Sequence, residues 1–245
     1  MFNLQHILYM VISFSLTGIL LALAARYVQD EKKKIGILKF FAIFTVFLHY
    51  SNLWVDYFTT GTAQIANNQI LPVYPCNIVM WMLLIAACMR NKQGLLFQML
   101  GEFCLLCGTL CGVVGIVFNI NFGNNPNLAD YEIFKGMISH STMVFGCLYL
   151  GVGKFVRVRM FNMVSLTAGL GIFVLCGILV NRLYDAFGME APDGIFLRSN
   201  PYLPVPTVVA GLGALLLVFG ILSLLELRLP REQRWYHRLR RESKK

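Results

Sequence analysis

Apolar residues dominate seven long runs of the chain, at about 4–27, 35–57, 70–89, 95–118, 133–153, 162–183 and 203–226. Each reaches the roughly 20 residues that an α-helix needs to cross about 30 Å of hydrocarbon. The pattern predicts an all-α polytopic membrane protein: a seven-helix transmembrane bundle over residues 1–227 and a basic tail over 228–245. A helix is the natural form for such runs, because lipid offers no partner to backbone N–H and C=O groups. No separate soluble domain is expected, so any chemistry has to be built inside the bundle or at its rims.

The third run opens unlike the others, on Leu71-Pro72-Val73-Tyr74-Pro75-Cys76-Asn77. Proline is tolerated in the first turn of a helix, where its missing N–H has no partner to lose, so Cys76 is expected close to a helix N-terminus. Partial positive charge and spare N–H donors at that end favour a thiolate and an oxyanion beside it. Run two ends on His49, Tyr50, Ser51, Asn52, Trp54 and Asp56. Polar groups at that density either line a cavity or sit in the interfacial belt. Run four carries Gly101, Cys104, Gly108, Gly112 and Gly115, a small-residue face that lets another helix approach closely. Cys104, Cys107 and Cys111 share a helical face, but three thiols without a nearby His read as packing, and no metal or cofactor is expected. Glu102, in the same run, needs a partner or water. Run five contains Ser139-His140-Ser141-Thr142, and His6 reads as an interfacial residue.

Composition excludes a water-soluble domain: 57% of residues are hydrophobic, only 13% are charged, and the mean hydropathy is +0.65. The net charge of +9 would suit nucleic acid were it not so unevenly placed. Of 21 Lys and Arg, 18 fall after odd-numbered runs, leaving Lys135, Arg182 and Arg198 on the other side. The positive-inside rule then predicts an outside N-terminus and a cytoplasmic C-terminus in a multi-pass protein of the cell membrane. The expected partners are membrane lipids, with the tail from Arg228 to Lys245 anchored on anionic phospholipid, and no nucleic acid. Run one lacks a basic n-region and a small-residue cleavage site, so it reads as a retained span. The seven cysteines show no spacing of a disulfide framework.

Topology permits a test of depth. Cys76 lies about six residues in from the outer start of run three, His140 about seven in from the start of run five, and His49 about eight in from the outer end of run two. At 1.5 Å per residue all three sit roughly 9 to 12 Å below one surface, within reach of one outer-leaflet pocket. A thiol, an imidazole and nearby donors suit covalent acyl transfer. Desolvation opposes thiolate formation, so the helix terminus and a paired imidazole have to outweigh it.

The run Leu71-Pro72-Val73-Tyr74-Pro75-Cys76-Asn77-Ile78, with Ile138-Ser139-His140-Ser141 about sixty residues later, resembles the YwaF family of bacterial integral membrane proteins. That family is similar to the vertebrate ether-phospholipid acyltransferases (transmembrane protein 164-like). The family pattern is Leu-Pro-Leu-His-Leu-Cys with a Ser-His pair in a later span, and the resemblance extends over most of the chain. It implies Cys76 as the acyl-accepting nucleophile and His140 as its base. Tyr74 stands where the family has His, and Pro75 where it has Leu; His49 is a candidate to replace the missing imidazole. The resulting expectation is a membrane lipid acyltransferase or acyl hydrolase. Cys76 and His140 are assigned to catalysis, and His49, Asn52, Tyr74, Asn77 and Ser139 to substrate binding. A small-ligand transporter or receptor without covalent chemistry, and a non-catalytic assembly subunit, stay open as alternatives.

Overall fold

The computed structural model describes residues 3–62, 67–119, 127–160, 162–188, 193–198, 206–230 and 234. Most of the basic tail, the centre of the asparagine-rich connection after the fourth run, and prolines 201 and 204 lie outside the described residues. Regular structure among these residues is helical: α1 (Leu4–Tyr27), α2 (Glu31–Thr60), α3 (Asn67–Ile70), α4 (Pro75–Cys88), α5 (Leu95–Val117), α6 (Tyr131–Val152), α7 (Asn162–Phe187) and α8 (Thr207–Leu227), with a 3-10 turn at Gly194–Phe196. Helix α5 contains a π turn at Cys104–Gly108. Two compact units divide the chain, residues 1–156 and 157–245.

Side-chain caps start three of the helices. Asn3 Oδ1 accepts from His6 N–H at 2.8 Å, Asp30 Oδ1 from Lys33 N–H at 2.9 Å, and Asp130 Oδ1 from Glu132 N–H at 2.9 Å. Each satisfies a first-turn donor that the helix itself leaves without a partner.

Helices α1, α2, α5, α7 and α8 are long and apolar enough to cross a membrane, which makes this an all-α multi-pass membrane protein. Of the other three helices, α3 is a single short turn, and α4 and α6 depart from the sequence expectation. Helix α6 has 22 residues yet is too polar for that group. Helix α4 has 14, about 21 Å of rise, so the expected span at 70–89 is a half-length helix. Its late start has a local cause. Tyr74 precedes a proline, which disfavours the α region, and it adopts φ −110°, ψ 152°, leaving Pro75 as the first helical residue.

Long-range bonds then place that start. Gln69 Nε2 donates to His49 O at 3.2 Å and also to Asn52 Oδ1, while Tyr50 Oη donates to Gln69 O at 3.0 Å. These bonds hold the segment before α4 beside residues 49–52 of α2. Thr60, where α2 ends, is eight to eleven residues further on, roughly 12 to 17 Å along the axis. The chain before α4 therefore brings Cys76 near the level of residues 49–52 of α2, without two preceding turns of helix. At the other end of α4, Lys92 Nζ donates to Ala86 O at 2.7 Å and Ala87 O at 2.9 Å and stands 4.9 Å over the Phe97 ring. This buried cation satisfies carbonyls that the helix terminus leaves open.

Within residues 1–156, α6 packs against α1, α2, α4 and α5. That central position explains its polarity, because neighbours supply the partners that lipid lacks. Ser141 Oγ is hydrogen-bonded to Tyr9 Oη at 2.6 Å and Ser13 Oγ at 2.7 Å, and Thr142 Oγ1 to Thr45 Oγ1 at 2.8 Å. Phe41 and Phe145 pack with ring centroids 3.9 Å apart. The small-residue face of α5 meets α6 as expected. A Cβ on Gly108 would stand 2.7 Å from Cys147 Sγ, and one on Gly112 would stand 2.5 Å from Val144 Cγ2. His6 is fully buried, and its Nε2 donates to Ile116 O of α5 at 2.8 Å.

In residues 157–245, the turn at Gly194–Phe196 folds back on α7. Gly194 N–H donates to Asn181 Oδ1 at 2.7 Å, and a Cβ on Gly177 would stand 2.8 Å from Gly194 O. Asp193 accepts from Arg198 N–H at 2.9 Å, and the Arg198 guanidinium pairs with Asp185 at 2.7 Å. Pro206 is the N-cap of α8, so the last helix begins at Thr207, four residues into the apolar run at 203–226.

Candidate functional site: a cavity between α2, α4 and α6

The first turn of α4 carries Cys76 and Asn77, with Met80 one turn on. Helix α2 contributes Thr45 and His49, four residues apart, and α6 contributes Ser139, His140 and Met143. These eight side chains line one cavity of about 30 Å³. That is room for one or two waters, with polar groups at hand to hold them.

The two imidazoles in this cavity differ. His140 Nδ1 lies 2.8 Å from Gly136 O. A carbonyl only accepts, so Nδ1 carries the hydrogen, and Nε2 of the neutral ring keeps its lone pair. The ring lies against α5 at Gly115, where a Cβ would stand 2.2 Å from His140 Cδ2 and 2.4 Å from Nε2. Only glycine leaves the imidazole that space. His49 instead meets Asn77, whose Nδ2 stands 3.5 Å from His49 Nε2, while Asn77 Oδ1 accepts from Tyr74 N–H at 2.9 Å. An amide nitrogen only donates, so His49 Nε2 is the acceptor of a long hydrogen bond.

Thr45 is buried and committed elsewhere, its hydroxyl lying 2.8 Å from Phe41 O and 2.8 Å from Thr142 Oγ1. Cys76 is half-buried, and all seven cysteines are free thiols. Cys107 and Cys111 pack with their sulfurs 3.8 Å apart. Among the described residues, no group of three or more His, Cys, Asp or Glu side chains is placed to hold a metal ion.

Five of the seven residues singled out from the sequence, Cys76, His140, His49, Asn77 and Ser139, line this cavity. Asn52 and Tyr74 stand outside its lining. Asn52 is buried and accepts from Gln69, and Tyr74 is the N-cap position of α4. Sequence reasoning missed Thr45, Met80 and Met143, although a signal existed. Thr45 precedes His49 by four residues, Met80 follows Cys76 by four, and Met143 follows His140 by three, the spacings that share a helical face.

Fold and cavity together define a polytopic all-α membrane protein with a thiol and an imidazole on a common buried space. The TMEM164 family model matches residues 1–234, and the chain belongs to that family. This agrees with the transmembrane protein 164-like resemblance carried by the Pro-Cys and Ser-His motifs. Among curated proteins and solved structures, none matches the sequence.

Proposed function

We propose that the protein is a lipid acyltransferase or acyl hydrolase of the cell membrane, working through a thioester at Cys76 with His140 as general base. The single observation that carries this reading is the common cavity. It is lined by a thiol at a helix N-terminus and by an imidazole whose Nδ1 donates to Gly136 O, which in the neutral ring leaves Nε2 as the basic nitrogen. The finer resemblance to bacterial YwaF proteins belongs to the same reading, as does an outer-leaflet position for the pocket with the basic tail on anionic phospholipid.

In the first half-reaction the thiol proton passes to His140 Nε2 while Sγ bonds to the acyl carbonyl carbon. Collapse of the tetrahedral intermediate expels the lipid alkoxide, which takes that proton. In the second, an acceptor hydroxyl, of a lysolipid or of water, gives its proton to His140 and attacks the thioester. Cys76 then leaves and recovers the proton.

The cavity volume limits what enters. A space of about 30 Å³ admits the reacting carbonyl and not a fatty chain. The chain is accommodated where the cavity walls yield toward lipid. Met80 and Met143 are compliant unbranched side chains in those walls, and Phe47, Trp81 and Ile85 are exposed on α2 and α4.

A phospholipid with a radiolabelled acyl chain, incubated with the purified protein and quenched in acid, tests the proposal. Expected is hydroxylamine-sensitive label on the parent protein and none on Cys76→Ala. Equal label on both would sink it.

A further inference from the structure

Acyl transfer through a thioester places negative charge on the carbonyl oxygen twice, and donors fixed in advance at that position supply much of the rate enhancement in such reactions. We propose that the side-chain amide of Asn77 is the oxyanion donor of this site, with His49 as the residue that positions it. The assignment rests on the thioester reading above and adds to it the group that holds the charge.

Three observations carry it. Asn77 directly follows Cys76, is 3% exposed and lines the same cavity. Its amide has one allowed orientation, because Oδ1 accepts from Tyr74 N–H at 2.9 Å, and the flipped amide would set two donors against each other. Nδ2 is thereby turned to the cavity, where His49 Nε2 stands 3.5 Å away. An amide nitrogen has two hydrogens. One is directed at His49, and the other is left for an oxygen beside Cys76 Sγ. The same contact separates the two histidines by role: His49 Nε2 is engaged by the Asn77 amide, whereas His140 uses Nδ1 for Gly136 O and is the base assigned to the thiol proton.

The electron count closes without any redox partner. As Sγ bonds to the carbonyl carbon, the C=O π pair moves onto oxygen and is held by the Asn77 N–H. As the C=O re-forms, the pair returns and the C–O bond to the departing lipid breaks. Deacylation repeats the sequence with the C–S bond breaking.

The test compares two reactions of Cys76 in the full-length protein in detergent: acylation by a long-chain p-nitrophenyl ester, and alkylation by iodoacetamide. Cys76→Ala serves as the blank. Both reactions need the thiolate, but only acylation forms an oxyanion, so their ratio cancels any effect of a substitution on the thiol. Asn77→Asp keeps an oxygen for Tyr74 N–H and removes both amide donors. Its acylation-to-alkylation ratio is expected to fall about 10²- to 10³-fold, the usual effect of deleting one oxyanion donor. Asn77→Ala, which also loses the cap, is expected to show the same ratio and serves as the second variant if Asp impairs folding. His49→Ala is expected to lower the ratio about tenfold, through loss of orientation. An unchanged ratio in both Asn77 variants would overturn the oxyanion assignment and leave the thioester reading intact. A parent protein that alkylates but never acylates at Cys76 would overturn both.

Discussion

Two seams of this protein each hold a histidine bonded to a main-chain carbonyl at 2.8 Å, and the two come to different ends. Between α1 and α5, His6 Nε2 donates to Ile116 O and is fully buried. Ile116 lies in the last turn of α5, where carbonyls lack intrahelical partners, so this bond satisfies an orphan acceptor and ties two helices together. Between α4 and α6, His140 Nδ1 donates to Gly136 O, four residues back on its own helix. That bond joins no helices. It orients a ring that lies against Gly115 of α5 and lines the cavity that Cys76 also lines. The hydrogen bond is alike in both places; the surroundings of the ring separate an interhelical tie from a candidate base.

The largest expected effect separates the seams directly. His140→Gln should lower acylation of Cys76 by the long-chain ester about 10²- to 10⁴-fold, the range for loss of a general base, whereas His6→Gln should leave it within about twofold. Equal losses in the two variants would erase the distinction. Gly115→Ala comes next. Its Cβ would stand 2.2 Å from His140 Cδ2, so the imidazole has to move, and acylation should fall about 10²-fold, as small misplacements of reacting groups do. Gly18→Ala meets no atom within 4 Å and should leave acylation unchanged. His6→Ala works on stability instead. Leaving Ile116 O without its donor should cost about 1–3 kcal/mol, read as a lower melting temperature in detergent with acylation per folded molecule unaltered. The smallest effect is expected of Ser141→Ala, which removes the bonds to Tyr9 and Ser13 and should cost about 1 kcal/mol in the same thermal measurement.

Much of the site was legible before the fold was known, for reasons that act locally. Pro75 announced a helix start, and Cys76 lies in the first turn. The glycines of α5 announced a close approach, and Gly108, Gly112 and Gly115 meet α6 without room for a Cβ. Other features were hidden because their causes lie far off in sequence. The role of His6 as an interhelical tie was hidden because nothing near it reveals Ile116, 110 residues away. Asn52 looked like a cavity residue because its polarity was visible and its partner Gln69, 17 residues on, was not. Helix α6 looked like one span among seven, yet it is the centre of its unit, since burial by neighbours cannot be read from its own hydropathy.

By itself the sequence determined that the chain is helical and crosses the membrane several times, since hydropathy and chain length set those. It also determined that a thiol begins a helix, since the steric demands of Pro75 act within a residue or two. Only tertiary structure decided that the start of α4 is held at the level of His49 by Gln69, that the Asn77 amide meets His49 Nε2, and that Cys76 and His140 line one cavity. Those outcomes depend on side chains from α2, α4 and α6 failing to fill one small space. Such a void is a product of packing between helices and has no signature in any one of them.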